Sequence, residues 1–305
     1  MPLIGLQDPT HKERASDAPG RYPRWFDVDE VLRQAESANP KWSPWPYELI
    51  ASTVANHQER GSRLSVTTIC GGCMRGTLIE RKCDYIGSLD QNYASLRGSM
   101  IHKTLEQGQR ANSIAEWRFY TTVNGQEISG SPDLITFDTI WDYKTTENPP
   151  AYDYMYNSHK LQLNFNRFCF NNATKWEDPD GVFDRSDIPL DPFQTRINHL
   201  AIVYLGPKGP KVIETTKSIT VNTGSTTRRV RVPEVWTDQE VMNELQPRME
   251  AWELAWNSFP TWPTGLENYP GWEGPPEFRC SGAPVCNLPN CVAKRYPDGL
   301  VWPSK

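Results

Sequence analysis

A chain of 305 residues with 37% hydrophobic residues is long enough for one large or two small packed domains. Its net charge of −5 excludes a basic coat that covers nucleic acid indiscriminately, so any DNA contact needs a local basic stripe. No apolar run is long enough to span a membrane and no secretory leader is expected; seven cysteines, an odd number in an apparently cytoplasmic chain, favour metal or cluster ligation over disulfides. Residues 1–24 are polar and aperiodic and read as a loose arm. Helical spacing runs over Phe26–Ala38 and again over Pro46–Glu59, with a Trp/Pro turn at Trp42–Trp45 between them. Leu64–Ile69 reads as extended, Arg75–Arg81 as helical and Leu96–Ile114 as a helix. Three strands are predicted next, over Ile114–Val123, Glu127–Phe137 and Thr139–Thr145. Tyr154–Phe170 is again helical, and Asn198–Leu205 is a strongly apolar strand ending at Gly206-Pro207. Lys211–Val232 alternates about a turn at Asn222-Thr223-Gly224 and predicts a β-hairpin insertion. Thr237-Asp238-Gln239-Glu240 is a capping box that opens a helix running to Phe259. Pro260–Pro289 is rich in Pro, Gly and Trp and shows no regular pattern.

The stretch Gly130–Thr146 carries the chemistry. Two short strands joined by a turn at Asp138-Thr139 bring Asp133, Asp142 and Lys144 to one end of a hairpin. Side chains alternate along a strand, so Asp142 and Lys144 share one face and Trp141 and Tyr143 the other. Two carboxylates suit a hard divalent cation such as Mg²⁺. A lysine beside them can hold a water or a phosphate oxygen, and such a set cuts phosphodiesters. Taken alone, this acid–acid–lysine pattern is common, and an ordinary hairpin with surface charges satisfies it.

Pro132-Asp133 and Asp142-Tyr143-Lys144 resemble the pattern that names the PD-(D/E)XK nuclease superfamily, with Asp in the second acidic position. Upstream, Arg97–Glu106 resembles the glycine–histidine–glutamate helix of the RecB-like exonuclease branch, which implies that His102 is a metal ligand. Imidazole beside two carboxylates also suits Mn²⁺. Glu116-Trp117-Arg118-Phe119, followed by Ile128-Ser129-Gly130, resembles the strand through which such nucleases enter the hairpin. Glu116 is open between a metal contact and an exposed strand acid. Lys160–Phe168 resembles the branch's QLxxY helix, which implies that Gln162 reaches the active site; Phe165 or Asn166 stands where a tyrosine is usual. Cys73-Met74-Arg75 resembles a CxR element, and Cys280, Cys286 and Cys291 follow the core. One cysteine before and three after is the layout of the iron–sulfur members, the AddB and CRISPR-adaptation exonuclease type. The five residues between Cys280 and Cys286 exceed the usual first step. A [4Fe–4S] cluster, Zn²⁺ on the same ligands, a Cys70–Cys73 pair and plain buried thiols therefore stay open.

The resemblance covers roughly residues 62–295. It implies an α/β, restriction-endonuclease-like core, with a mixed central β-sheet flanked by helices and an iron–sulfur-stapled C-terminal tail. The expected division is an N-terminal helical arm over 1–60, a nuclease core over 61–259, and an irregular cysteine-containing segment over 260–305 packed on the core. The implied activity is a Mg²⁺- or Mn²⁺-dependent deoxyribonuclease, an exonuclease acting on DNA ends or single strands. His102, Asp133, Asp142 and the backbone carbonyl of Tyr143 would hold the cation, and Lys144 would stabilise developing charge. A catalytically silent DNA-binding or scaffold subunit on the same fold is the rival, and the intact Asp133, Asp142 and Lys144 argue against it. An RNA-processing or structure-specific endonuclease on the same fold is the third reading. No phosphate-binding G-x-x-x-x-G-K-[ST] loop occurs, so a motor would come from a helicase or recombination partner. Beyond DNA, no membrane contact is expected. The basic candidates for DNA contact are Arg75, Arg81, Lys82, Arg97, Lys103 and Arg110, and a second cluster of Arg228, Arg229 and Arg231.

Overall fold

The computed structural model describes residues 3–7, 25–27, 32–33, 36, 46–55, 64–70, 77, 81, 85–87, 89–108, 113–150, 154–178, 180–184, 197–222 and 227–258. The elements begin with β1 (Leu3–Gln7), β2 (Trp25–Asp27), α1 (Tyr47–Ala55), β3 (Leu64–Ser65), α2 (Val66–Cys70), β4 (Tyr85–Gly87) and α3 (Leu89–Glu106). Then come β5 (Ser113–Ala115), β6 (Arg118–Val123), β7 (Gln126–Gly130), β8 (Leu134–Thr136), β9 (Thr139–Thr145) and α4 (Asn157–Asn171). The rest are β10 (Lys175–Asp178), β11 (Gly181–Asp184), β12 (His199–Gly206), β13 (Gly209–Glu214), β14 (Thr216–Asn222), β15 (Thr227–Pro233) and α5 (Asp238–Ser258). No helix among the described residues is long and apolar enough to cross a membrane.

The chain separates into two units, one of residues 1–62, 72–99 and 250–305, the other of 63–71 and 100–249. In the first, β1 pairs antiparallel with β2 and parallel with β4. Trp25–Asp27 is therefore strand where helical spacing begins, and helix is seen only later, at Leu32, Arg33 and Glu36. In the second unit the expected single central sheet is two mixed five-stranded sheets, ordered β11-β10-β6-β7-β3 and β13-β12-β9-β8-β5, with β14 and β15 as a separate ribbon. The molecule is a mixed α/β structure.

Helix α4 organises the second unit. It packs on β6 and β7 of one sheet and on β9 and β12 of the other. That demands apolar residues on more than one face, and Leu163, Phe165, Phe168 and Phe170 are all buried. Each such side chain contributes roughly 1.5–3 kcal/mol by leaving water. Strands β9 and β12 run parallel, with Asp142 opposite Ile202 and Lys144 opposite Tyr204. A parallel pair needs a long crossover, and α4 lies within it.

Two strands expected to be continuous are broken, and the breaks position the site. Ile114–Val123 divides into β5 in one sheet and β6 in the other, with Glu116 between them at φ 59°. Glu127–Phe137 divides likewise into β7 and β8, separated by Ser131-Pro132-Asp133. The chain thus crosses between the sheets twice, once in each direction. The crossings are tied together: Glu116 N–H donates to the Asp133 carbonyl (3.3 Å), and Ser131 Oγ donates to the Glu116 carbonyl (3.3 Å). The β8–β9 turn falls at Phe137-Asp138, one residue earlier than expected, with Phe137 at φ 46°. Leu64–Ile69 is extended for two residues only; Ser65 Oγ then accepts the Thr68 N–H (3.3 Å) and starts α2. Helix α3 begins and ends earlier than Leu96–Ile114. The capping box is formed as read: Thr237 N–H donates to Glu240 Oε2 (2.7 Å), and Glu240 N–H donates to Thr237 Oγ1 (3.2 Å).

Candidate metal centre

Three elements and two crossings of the second unit converge at the open end of the β8–β9 hairpin. His102 comes from α3, Glu116 from the first crossing, Asp133 from the second, Asp142 and Lys144 from β9, and Gln162 from α4. His102 Nδ1 lies 3.2 Å from Glu116 Oε1 and 3.5 Å from Asp133 Oδ1. Its Nε2 lies 3.2 Å from the Tyr143 carbonyl oxygen. Asp133 Oδ2 accepts the Tyr143 N–H, which locks the carboxylate to β9.

Behind this group lies a second one. Asp142 is 1% exposed. Its Oδ1 accepts hydrogen bonds from Lys144 Nζ (3.0 Å) and Gln162 Nε2 (3.0 Å). Its Oδ2 lies 2.8 Å from Lys144 Nζ as an ion pair but accepts no hydrogen bond of good geometry. Residues Asp142 and Lys144 share a face as strand alternation requires.

The electrostatics are those of crowded carboxylates short of positive charge. Burial and the neighbouring Asp142 charge push the Asp133 carboxyl up to about 7. Burial also raises Asp142, against the pull of Lys144. The hydrogen bond to Glu116, helped by the Asp133 charge and opposed by burial, pushes the His102 imidazolium up to about 9. Burial works against the Lys144 ammonium, but Asp142 and Asp133 more than offset it and raise its pKa. A proton on the imidazole stands where a cation would relieve the same repulsion.

His102, Glu116 and Asp133 each offer a ligand atom, all within 4.8 Å of one another. One imidazole and two carboxylates form a hard-to-borderline donor set that fits Mg²⁺ or Mn²⁺. The sequence motifs therefore converge: His102, Asp133, Asp142, the Tyr143 carbonyl, Lys144 and Gln162 lie together. The grouping differs in one respect. Glu116 joins His102 and Asp133 at the surface, while Asp142 sits deeper, held by Lys144 and Gln162. The sequence signal for Glu116 is its place at the head of the Glu116-Trp117-Arg118-Phe119 strand, where a metal contact and an exposed acid stayed open. Phe165 and Asn166, at the usual tyrosine position, are both buried. Asn166 abuts Gly130 so closely that a Cβ there would come within 2.9 Å of its Oδ1.

Cys73, Cys280, Cys286 and Cys291 lie outside the described residues. Cys70 and Cys169 are free, buried thiols, and burial pushes both up. Such thiols act as small apolar core residues.

No protein-family model matches the chain, and no curated protein matches it. Among solved structures, the crystal structure of SSO0001 aligns at 15% identity over 85% of this chain and 95% of its own, with a TM-score of 0.39. That likeness is too distant to carry a family assignment.

Proposed function

We propose that the chain is a divalent-cation-dependent deoxyribonuclease of the PD-(D/E)XK superfamily, RecB-like in type. On this reading it has a restriction-endonuclease-like core and hydrolyses phosphodiesters at DNA ends or in single strands. One observation carries the reading. A cation-ready His102, Glu116 and Asp133 group stands directly before an Asp142–Lys144–Gln162 group at the end of one hairpin. Metal sites are common; a half-buried lysine paired with a fully buried carboxylate beside one is not. A buried carboxylate that holds a lysine ammonium at the mouth of such a site suits an anionic substrate.

His102, Glu116 and Asp133 would hold Mg²⁺ or Mn²⁺, with the Asp142 carboxylate and the Tyr143 carbonyl beside them. The cation would polarise the scissile phosphate and lower the pKa of water. Lys144 is kept charged by Asp142 and stabilises negative charge as it builds on the phosphoryl oxygens. Gln162 fixes the Asp142 carboxylate and thereby aims the lysine. The Tyr143 N–H holds Asp133 in place. The proposal includes a [4Fe–4S] cluster, or Zn²⁺, on Cys73, Cys280, Cys286 and Cys291, which rests on their layout in the sequence.

The test uses end-labelled linear, closed circular and single-stranded DNA with Mn²⁺ and with EDTA. Cleavage in Mn²⁺ that EDTA abolishes is expected, and Lys144→Ala is expected to lose about 10²–10³ in turnover while still binding Mn²⁺. Undiminished cleavage by Lys144→Ala, or in EDTA, overturns the reading. DNA binding without any cleavage by the wild-type chain favours the silent subunit, and cleavage of closed circles favours an endonuclease.

A further inference from the structure

We propose that the β14–β15 ribbon is a DNA-holding arm, whose outward face binds the phosphate backbone of the strand presented to the metal centre. It rests on the nuclease reading for the identity of that strand. The chain as a whole is acidic, at −5, yet residues 216–233 hold Lys217, Arg228, Arg229 and Arg231 and no Asp or Glu. That concentration of charge is what a phosphate track attracts.

The two faces of the ribbon are unlike. The register places Ser218 opposite Arg231 and Thr220 opposite Arg229 on one face. All four are exposed. The other face carries Ile219, Val221, Val230 and Val232 with Lys217 and Arg228, and its three valines are half-buried. The first face is thus cationic and hydroxyl-lined, whereas the second mixes half-buried valines with the exposed Lys217, Ile219 and Arg228. Arg229 and Arg231 are spaced two strand residues apart, about 7 Å. Arg231 Nε donates to Thr216 Oγ1 (3.1 Å), which lays that side chain along the face. Guanidinium forks and hydroxyl donors are the usual phosphate-binding groups, and they read no bases.

A two-stranded ribbon is marginal in water unless its root is anchored. Here the root is anchored to the helix that carries Gln162. Thr215, which is buried, donates N–H to the Leu200 carbonyl (2.8 Å) and Oγ1 to the Glu234 carbonyl (2.7 Å). Glu234 Oε2 accepts Lys160 Nζ (2.7 Å), and Trp236 N–H donates to Asn164 Oδ1 (2.9 Å). Lys160 and Asn164 flank Gln162 on α4. The arm and the site therefore share one rigid support.

The experiment measures binding of a fluorescent single-stranded oligonucleotide to the full chain in EDTA, across a salt series. The double variant Arg229→Ala/Arg231→Ala is expected to flatten the slope of log affinity against log salt by about 1.4, for two contacts at about 0.7 each. Arg229→Lys/Arg231→Lys is expected to keep the slope. Both sites are exposed, so both variants should melt at the wild-type temperature. An unchanged slope in the alanine variant overturns the proposal. So does a loss confined to anionic lipid vesicles, which would make the ribbon a membrane arm. The two readings fail separately: a flattened slope without cleavage keeps the arm and removes the nuclease, whereas metal-dependent cleavage with an unchanged slope does the reverse.

Discussion

At the scale of single residues, Glu116 carries two loads. It supplies a carboxylate to the candidate cation site, and it does so at φ 59°, where a non-glycine residue costs about 1–3 kcal/mol. The two loads separate by substitution. Glu116→Gly removes the acid and accepts the left-handed backbone, so it is expected to melt higher than wild type in EDTA. It is also expected to bind Mn²⁺ about 10–100-fold more weakly. Glu116→Gln removes the charge and keeps the strain, so it should lose affinity with no gain in melting temperature. Melts in EDTA and Mn²⁺ titrations of both variants check this; equal Mn²⁺ affinity in all three proteins would make Glu116 an ordinary strand acid.

At the scale of elements, α4 meets β12 through a polar pair, His159 Nδ1 and the Tyr204 hydroxyl at 2.7 Å. Burial, reinforced by the Lys144 charge, holds the His159 imidazole down to about 4, below its usual 6.5. The unfolded chain takes up this proton near pH 6.5 and the folded chain only near pH 4. The contribution is therefore fully present above pH 6.5 and is lost as pH falls toward 4, by up to about 3 kcal/mol. Urea midpoints of wild type and His159→Gln between pH 7 and 4 should converge as the solution is acidified. A gap that stays constant would mean that the pair does not titrate. The same elements show what the sequence makes legible. Strand β9 runs from Thr139 to Thr145 as alternation predicts, and α5 starts at its capping box, because both patterns are local. Asp133, Asp142 and Lys144 were recognisable by type and spacing, His102 and Gln162 only through the resemblance of their helices. The crossings at Glu116 and at Ser131-Pro132-Asp133 were not: the apolar residues resume directly after Glu116 at Trp117 and Phe119, and Ser131-Pro132-Asp133 marks a break without telling that the partner sheet changes there. Partner choice is decided by α4 packing on both sheets, which no single strand encodes. Phe137 put the expected β8–β9 turn one residue off: its position has a positive φ where glycine would have been the signal.

At the scale of the whole molecule, Cys73 precedes and Cys280, Cys286 and Cys291 follow the proposed nuclease core in sequence. Joining Cys73 to Cys280 would close a loop of 280 − 73 = 207 residues. By analogy with a cross-link, such a closure contributes on the order of 4–5 kcal/mol. Protein purified without oxygen is expected to be brown with about four irons per chain, and serine at Cys73, Cys280, Cys286 or Cys291 should bleach it and expose the C-terminal segment to protease. Colourless protein with one zinc would place Zn²⁺ on those thiols, and metal-free protein would remove the cluster and leave the nuclease reading standing.

The paired crossings reach further than the chemistry. Glu116 and Asp133 sit at the two points where the backbone leaves one sheet for the other, and a hydrogen bond already ties those points. A cation seated between them would clasp two chain segments and, through them, two sheets. Occupancy would then add to folding stability by mass action. On the proposed nuclease reading, the concentration of free divalent ions would govern both how fast a strand is cut and how firmly the sheets stay joined, and a chain starved of the ion would open first along that seam.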